Sequence, residues 1–489
     1  MKNAPVRFHS LSILFPLALA FLVSLNFFLM NFIFPENNTF DAQRLIQLIF
    51  MSYIAVALLC PKAARAVFQI VQGLPQISRL GILLFFALGV FSSMQAAAPK
   101  YAFLEVSVYF LWFVGSCTIA RTVAAEREDT RIFSIILMSV INYVVMFCGL
   151  FIVLFFLAPF TQNIFAKQIF FPGFVNIRFF VQYQIWIIPL LTMPLVNVQK
   201  FRWWVPLLIL LASIWWAFVF YNASRGEFIA LAIAAIAIWF IFRQEANRWF
   251  FIQLAMIIGG LILYQIIFKL LLRLPYEFAF SRTSDDATDR VANLKQAFHL
   301  IHDHPWLGAG PMHFAYYPPP GFFTHPHNSI LALASEWGIP ATLIILFLFF
   351  CGFSAWIRLF SFKTFQGKIF SDKTKVLLMS LTASSVAGFF YSLVDGVFTM
   401  PMGQFTSMVF VGWMIGVYQR YAVKMDVLEM RLFLRILVPI FLIFSLVVMW
   451  GIVAPMLPNL SLNELLWLGQ HPEAGTMLHP NFWIQGLIY

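Results

Sequence analysis

The sequence is poor in charged residues. Lys, Arg, Asp and Glu make up 10% of its 489 residues, whereas soluble domains carry about 25%. Hydrophobic residues make up 62%, and they stand in runs long enough to cross the roughly 30 Å hydrocarbon core as helices. A soluble globule is therefore excluded, because the chain lacks the polar surface to cover it. The runs also lack the alternation of membrane β-strands, so the sequence predicts an all-α, polytopic bundle of transmembrane helices.

Cysteine is also scarce. The four cysteines are Cys60, Cys117, Cys148 and Cys351. They lie in or at the end of apolar runs and show no metal-ligand spacing. We interpret them as packing residues, so no disulfide framework is expected. The sequence predicts neither a metal site nor a cofactor.

Twelve or thirteen hydrophobic stretches are predicted to span the membrane. They lie near residues 11–34, 43–60, 80–98, 101–120, 132–158, 179–198, 203–221, 226–243, 249–272, 329–356, 375–396, 401–419 and 432–453. The first is interpreted as an uncleaved span rather than a signal peptide, because it continues to Phe34. We divide the chain into N-terminal spans (1–158), central spans (159–272), a large polar loop (273–328), C-terminal spans (329–453) and a tail (454–489).

The basic residues predict the orientation of the spans. With the N-terminus inside, every inner segment holds at least two Lys or Arg, and together these segments hold about two thirds of the 31 basic residues. The net charge of +11 is therefore mostly a topology signal. The chain contains no basic domain of the kind that would indicate a nucleic-acid partner. The large loop and the tail then lie on the outer face of an inner membrane.

Two short outer segments carry arginines that the charge rule does not explain. In the first, Asn176, Arg178 and Gln182 stand around the start of a span, which indicates a polar cavity there. For Arg178, snorkelling at a helix end is the alternative. In the second, Arg225 and Glu227 stand between two apolar runs, where charge is costly unless it meets a partner or an anionic ligand. Pairing between these two residues is the alternative.

The large loop contains a predicted amphipathic helix. Apolar residues recur at helical spacing from Arg290, and Pro305 ends the pattern. We expect this helix to lie at the outer interface, with Arg282 eight residues before Arg290. Asp285 and Asp286 are interpreted as caps of the helix, and a divalent-metal site is the alternative.

The loop ends in glycines and histidines. Gly308 and Gly310 permit backbone angles that other residues avoid, and their amides could approach an anion, although a lone Gly-x-Gly is weak evidence. His325, His327 and Asn328 follow, directly before a span. At a helix N-terminus the dipole disfavours imidazolium, so His327 is expected to be neutral and able to accept a proton. For Asn328, a role as N-cap is the alternative.

Arginines and a neutral histidine on one face favour a particular chemistry. Arginine binds phosphate bidentately and stays charged, and several arginines can stabilise the charge of a departing diphosphate. A neutral histidine can take the proton from an attacking hydroxyl. At the outer face of a membrane, the expected donor is a sugar on a lipid-linked diphosphate.

These motifs resemble the O-antigen ligase and polymerase superfamily of bacterial envelope glycosyltransferases. The similarity covers roughly residues 170–420. It rests on Ser224-Arg225-Gly226, on Arg290 with the later His304-Pro305-Trp306-Leu307-Gly308-Ala309-Gly310, on His327-Asn328-Ser329-Ile330-Leu331 and on Glu336-Trp337-Gly338-Ile339-Pro340.

The resemblance implies metal-independent, inverting transfer of a glycan from an undecaprenyl-diphosphate donor to an acceptor hydroxyl, at the periplasmic face of the inner membrane. Arg225 and Arg290 would hold the diphosphate, with Arg178 in support, and His327 would activate the acceptor. The further candidates for substrate binding are Asn176, Gln182, Arg282, His325, Asn328, Gly308 and Gly310. A thirteenth span with an outer tail departs from the pattern expected of a ligase.

Three acceptors are compatible with the resemblance. They are lipid A-core for a ligase, another lipid-linked repeat for a polymerase, and an exported protein for a protein O-oligosaccharyltransferase. The ligase is favoured, because about 36 residues follow the last span and protein transferases often carry a further soluble region. Membrane lipids are the other expected partners. A lipid-linked oligosaccharide transporter is the alternative of another class, but it would distribute charge along a midplane path.

Overall fold

The computed structural model is an all-α bundle. It describes residues 11–35, 39–157, 171–196, 204–272, 285–317, 325–359, 370–422 and 432–459, and no strand occurs among them. The helices are α1 (Leu11–Ser24), α2 (Phe27–Ile33), α3 (Thr39–Ala57), α4 (Pro61–Gln72), α5 (Gln76–Gln95), α6 (Pro99–Glu126), α7 (Asp129–Leu157), α8 (Ile177–Ile187), α9 (Met193–Val196), α10 (Trp204–Asn222), α11 (Arg225–Phe242), α12 (Asn247–Tyr264), α13 (Asp285–Asp303), α14 (Ser329–Leu359), α15 (Asp372–Ser392), α16 (Pro401–Ala422) and α17 (Leu432–Val453).

Among the residues that the structure describes, fewer helices qualify as membrane spans than the twelve or thirteen predicted. In the described residues, seven helices are long and apolar enough to cross a membrane, or up to nine when each of two bent pairs counts as one span. The stretch Arg225–Leu271 counts as one span, whereas the sequence predicts two, 226–243 and 249–272. Arg243 interrupts this stretch with a φ of 50°. α15 and α16 have spanning length but carry many Ser, Thr and Gln residues. The predicted polytopic helical architecture is confirmed.

Two helix pairs are sharply bent. α1 and α2 meet at 100°, so the predicted span 11–34 is not one straight helix. Asn26 stabilises the bend, because its side chain accepts the Leu29 N–H at 3.0 Å and caps α2. α3 and α4 meet at 105°. α4 is a short amphipathic helix that lies between the predicted spans 43–60 and 80–98.

The core of the bundle is aromatic. Trp215 of α10 is fully buried and stacks on Phe180 of α8 at 5.3 Å, and Phe180 in turn stacks on Tyr143 of α7 at 5.0 Å. Elsewhere the helices approach closely through small residues. A Cβ added at Gly412 of α16 would lie 2.4 Å from the Ser116 carbonyl oxygen of α6, so only glycine allows this contact.

The predicted amphipathic helix of the large loop is observed as α13. Its buried face, with Ala297 and Leu300, packs against α14, whereas Val291 and Phe298 are exposed. α14 is kinked at Gly338, which has a φ of 85°.

One end of the bundle gathers the segments that carry the candidate residues, and we call it the site end. It holds the start of α8, the start of α14 and the loop 393–400 between α15 and α16. α16 then runs for 22 residues, about 33 Å at 1.5 Å per residue. The opposite end holds the end of α16 and the starts of α7 and α15.

Candidate functional site

His327 lies in the turn directly before α14. Its backbone adopts a φ of 53°, a left-handed conformation that is uncommon outside glycine. The side chain is 11% exposed, and its Nδ1 lies 3.8 Å from Oδ1 of Asp395. This distance exceeds a hydrogen bond, but it places a carboxylate directly beside the imidazole ring. The pair is therefore arranged to stabilise a positive charge that forms on His327.

The Asp395 carboxylate accepts three hydrogen bonds. It lies in the loop 393–400 and is 5% exposed. Its Oδ1 accepts the Gly396 N–H at 2.7 Å and Nε2 of Gln182 at 2.9 Å, and its Oδ2 accepts the Tyr391 hydroxyl at 2.9 Å.

The charge of Asp395 follows from these contacts. Burial acts to raise the pKa of Asp395, but the neighbouring His327 imidazole, the charge of Arg178 and the Gly396 N–H together lower it below its ordinary value. Asp395 is therefore a carboxylate at neutral pH.

His325 holds the backbone of His327 in place through a hydrogen bond. It is 3% exposed, and its Nδ1 accepts the His327 backbone N–H at 2.9 Å. Burial and the neighbouring His327 charge lower the pKa of His325 to about 3, against the opposing effect of Asp395. The ring is therefore neutral, and its proton is assigned to Nε2 because Nδ1 accepts. Nε2 has no hydrogen-bond partner among the described residues.

The loop 393–400 is held by four other elements. The Asn328 side chain donates to the Leu393 carbonyl at 3.0 Å, and it also caps α14 by accepting the Ile330 and Leu331 N–H groups. The Phe398 carbonyl accepts from Tyr109 of α6 and from Gln404 of α16.

Arg44 of α3, which is 2% exposed, completes this support. It donates to the Thr399 carbonyl at 2.5 Å, and to Gln47 and Gln404. The position of Asp395 is thus set by helices that are far apart in the sequence.

The start of α8 brings the first predicted arginine segment to this carboxylate. Gln182 is fully buried and donates to Asp395, and the charge of Arg178 reaches the same carboxylate. Asn176 accepts the Arg178 N–H at 2.9 Å and caps α8. Gln182 therefore contacts Asp395 and Arg178 acts on it through its charge, whereas Asn176 serves the local helix start.

The second predicted arginine segment lies on the far side of Tyr391. Ser224 caps α11, and Arg225 is its first residue. This turn lies next to Tyr391, the residue that also donates to Asp395. A Cβ added at Gly226 would lie 3.3 Å from the Tyr391 ring, so the segment packs closely on α15. Tyr391 thus connects the Arg225 turn to Asp395.

The alternative of an Arg225–Glu227 ion pair is not observed. Glu227 is fully buried, and neither of its oxygens has a hydrogen-bond partner in the part of the chain that the structure describes. Its neighbour Asn222 donates instead to Gln184 at 2.9 Å.

The structure places Arg290 in the first half of α13. The side chain is half-buried and makes no hydrogen bond or ion pair to the described residues. Arg282 lies outside the described residues, and so do the side chains of Asp285 and Asp286. Elsewhere in the described ranges, no group of three His, Cys, Asp or Glu residues could hold a metal ion.

The prediction that Gly308 and Gly310 offer amides to an anion conflicts with the structure. The Gly308 N–H donates to the His304 carbonyl at 2.9 Å, and the Gly310 N–H donates to the Glu336 carbonyl at 3.0 Å. A Cβ added at Gly308 would lie 2.3 Å from the Glu336 carbonyl. The glycines therefore permit close packing of two backbones, and their amides donate to protein carbonyls rather than to an anion.

Two residues of the site were not among the predicted ones. Asp395 and Tyr391 stand in Tyr391-Ser-Leu-Val-Asp395-Gly, which matches no catalytic motif. The available signal was an isolated acid near a span end, because such a residue is costly unless it has a partner.

The fold and the site define a multi-pass membrane protein with a histidine–carboxylate pair and nearby arginines at one end of a helical bundle. Residues 207–346 match the Wzy_C family, described as O-antigen ligase. The predicted relationship to the O-antigen ligase superfamily is thus confirmed over α10–α13 and the first half of α14. No curated protein matches the chain.

The family match supports the predicted activity at a coarse level only. It indicates glycan transfer of the O-antigen ligase or polymerase type, by a glycosyltransferase-like membrane enzyme. Arg225, Arg290 and His327 lie inside the matched residues, whereas Arg178, Gln182 and Asp395 lie outside them.

Proposed function

We propose that this protein transfers a glycan from undecaprenyl diphosphate to an acceptor hydroxyl at the periplasmic face of the bacterial inner membrane. The His327–Asp395 pair carries the proposal, because it provides a base and its stabilising carboxylate at one end of a membrane bundle. Arg178 and Arg225 belong to segments that contact Asp395 directly or through Tyr391.

His327 acts as the general base in this proposal. Asp395 faces Nδ1, so the neutral ring keeps its proton on Nδ1, and Nε2 is the nitrogen that accepts a proton. The acceptor oxygen attacks the anomeric carbon while Nε2 takes its proton. The bond from that carbon to the diphosphate oxygen breaks, and undecaprenyl diphosphate leaves with the electron pair. Attack opposite to the leaving group inverts the configuration.

The arginines stabilise the leaving diphosphate. Arg225 and Arg290 would bind its oxygens bidentately, with Arg178 in support. Fixed guanidinium groups can neutralise the developing charge without a metal ion. Arg178 also acts on Asp395, so one cation would interact with both halves of the site.

The proposed acceptor is lipid A-core, as in an O-antigen ligase. A polymerase acting on a second lipid-linked repeat and a protein O-oligosaccharyltransferase are the alternatives within the same chemistry. A lipid-linked oligosaccharide transporter is less favoured, because His327 and Asp395 form a positioned acid–base pair that transport does not require.

Reconstitution separates these functions. Purified protein in liposomes is given labelled lipid-linked glycan with lipid A-core, unlabelled lipid-linked glycan or an exported protein, each in a separate reaction. Label on lipid A-core supports the proposal, and label on longer lipid-linked chains or on protein identifies one of the alternatives. Movement of glycolipid across the bilayer without any labelled acceptor would overturn enzymatic transfer.

The His327→Ala variant tests the role of the base. Loss of a general base lowers rates by about 10²–10⁴-fold, and we expect this loss with insertion unchanged. His302→Ala is the matched control, because the His302 side chain is 86% exposed and should be dispensable. Transfer by His327→Ala at the rate of the control would contradict the proposed mechanism.

A further inference from the structure

A cavity lies at the opposite end of the bundle, far from His327. Its volume is about 510 Å³. The starts of α7 and α15, the short helix α9 and the end of α16 line it. Because α16 separates it from the loop 393–400 by about 33 Å, it is not part of the site described above.

The charged groups of this cavity leave a net positive charge. Asp129 accepts from Arg420 at 2.5 Å and from the Trp413 indole at 2.7 Å, so its charge is compensated. Lys373 donates only to the neutral Thr130 hydroxyl, at 3.0 Å, and has no acidic partner among the described residues. The Lys373 ammonium is therefore available to an anionic ligand.

The rest of the lining is divided between polar and apolar groups. Thr130, Ser134 and Thr374 provide hydroxyl groups, of which that of Thr130 contacts the Lys373 ammonium, whereas Phe133, Leu377 and Val417 form an apolar wall. An anionic group that carries a hydrocarbon chain satisfies both sides. A free anion would leave the apolar wall facing water, which is unfavourable.

We propose that this cavity binds the phosphate headgroup of an anionic membrane phospholipid, with Lys373 as the principal contact. The cavity lies at the starts of α7 and α15 and the end of α16, and lipid headgroups are expected where membrane helices end. In the proposed orientation these headgroups belong to the cytoplasmic leaflet, whose anionic lipids attract basic groups. The proposal does not depend on glycan transfer.

The test compares two lysines at the start of α15. Lys373→Gln removes the cation of the cavity. Lys375→Gln is the matched control, because Lys375 pairs with Glu245 at 3.0 Å and does not line the cavity. Native mass spectrometry of purified protein, exchanged into phosphatidylglycerol or phosphatidylcholine, counts the lipids retained.

We expect the wild type and Lys375→Gln to retain phosphatidylglycerol, and Lys373→Gln to retain about fivefold less, as loss of one charge-assisted hydrogen bond predicts. Lys373→Arg should restore retention. Equal retention by both glutamine variants would overturn the proposal, and so would equal retention of phosphatidylcholine. If soluble glycerol phosphate stabilises the protein against heat as well as the lipid does, the cavity takes free phosphates and the lipid assignment is wrong.

Discussion

Two loops at the site end differ in how they use their polar groups. The glycine loop, residues 304–317, is rich in recognisable motif residues, yet its amides donate to carbonyls of α14 and of the loop itself. His313 is fully buried between the Pro311 carbonyl and the Ala98 N–H. The Asp395 loop, residues 393–400, matches no motif, yet its carboxylate faces His327.

The difference shows that motif residues and functional groups need not coincide. In the glycine loop, Gly308 allows the backbone to approach α14 so closely that its polar groups are satisfied within the protein. In the Asp395 loop, the backbone carbonyls are held by neighbouring helices, which leaves the Asp395 side chain to act on His327. A change in the glycine loop should therefore affect stability, and a change at Asp395 should affect chemistry.

The largest effect on transfer is expected from Asp395→Asn. The variant keeps the shape of the side chain but removes the charge that stabilises protonated His327, so the transfer rate should fall about 10²-fold or more. The reconstituted transfer assay measures this loss. Asp303→Asn, at the exposed end of α13, is the control and should keep its activity. A rate for Asp395→Asn within twofold of the control would remove Asp395 from the mechanism.

Gly308→Ala should lower the stability of the protein more than its transfer activity. The new Cβ would lie 2.3 Å from the Glu336 carbonyl, at a φ of +71° that alanine disfavours. Overpacking of this kind costs about 1–3 kcal/mol, so thermal unfolding in detergent should shift downwards while transfer per folded molecule falls less than tenfold.

Gly352→Ala is the control for this variant, since nothing lies within 4 Å of its added Cβ. An unchanged unfolding temperature for Gly308→Ala, or a loss of transfer as large as that of Asp395→Asn, would remove the contrast between the loops.

The smallest expected effect is a dependence of the stability of the glycine loop on pH. Burial lowers the pKa of His313, against the opposing hydrogen bond to the Pro311 carbonyl. The folded-state pKa is thus below the unfolded value of about 6.5, so the stabilisation is present above pH 6.5 and is lost as the pH falls below it. Protonation of Nε2 also removes the acceptor of the Ala98 N–H.

Hydrogen exchange of residues 305–316 measures this effect. After correction for intrinsic rates, amides of the loop should exchange about threefold faster at pH 5 than at pH 7.5, and His313→Gln should abolish the dependence. Equal corrected rates in the unmodified protein would show that His313 does not link this loop to pH.

Much of the fold could be predicted from the sequence, because long apolar runs specify helices locally. The predicted span 401–419 corresponds to α16 (Pro401–Ala422), and the predicted helix after Arg290 corresponds to α13. The bend at Asn26 was missed, since one polar residue in an apolar run is a weak signal.

The site was less predictable for a physical reason. His327 and Arg178 were found because charge and helix position are visible locally, whereas the role of Asp395 depends on a partner 213 residues away, Gln182. The same limit applies to Gly308, whose neighbour at Glu336 becomes visible only once the loop has packed.

The separation of His327 from Asp395 along the chain has a consequence for biosynthesis. A ribosome adds about 5–20 residues per second, so His327 is made roughly 3–14 seconds before Asp395. Until α15 and the following loop have been inserted, the nascent polypeptide holds the histidine without its carboxylate. In the proposed mechanism, a partly translated enzyme is therefore inert toward the lipid-linked sugars around it, and activity begins only when nearly the whole chain is in the membrane.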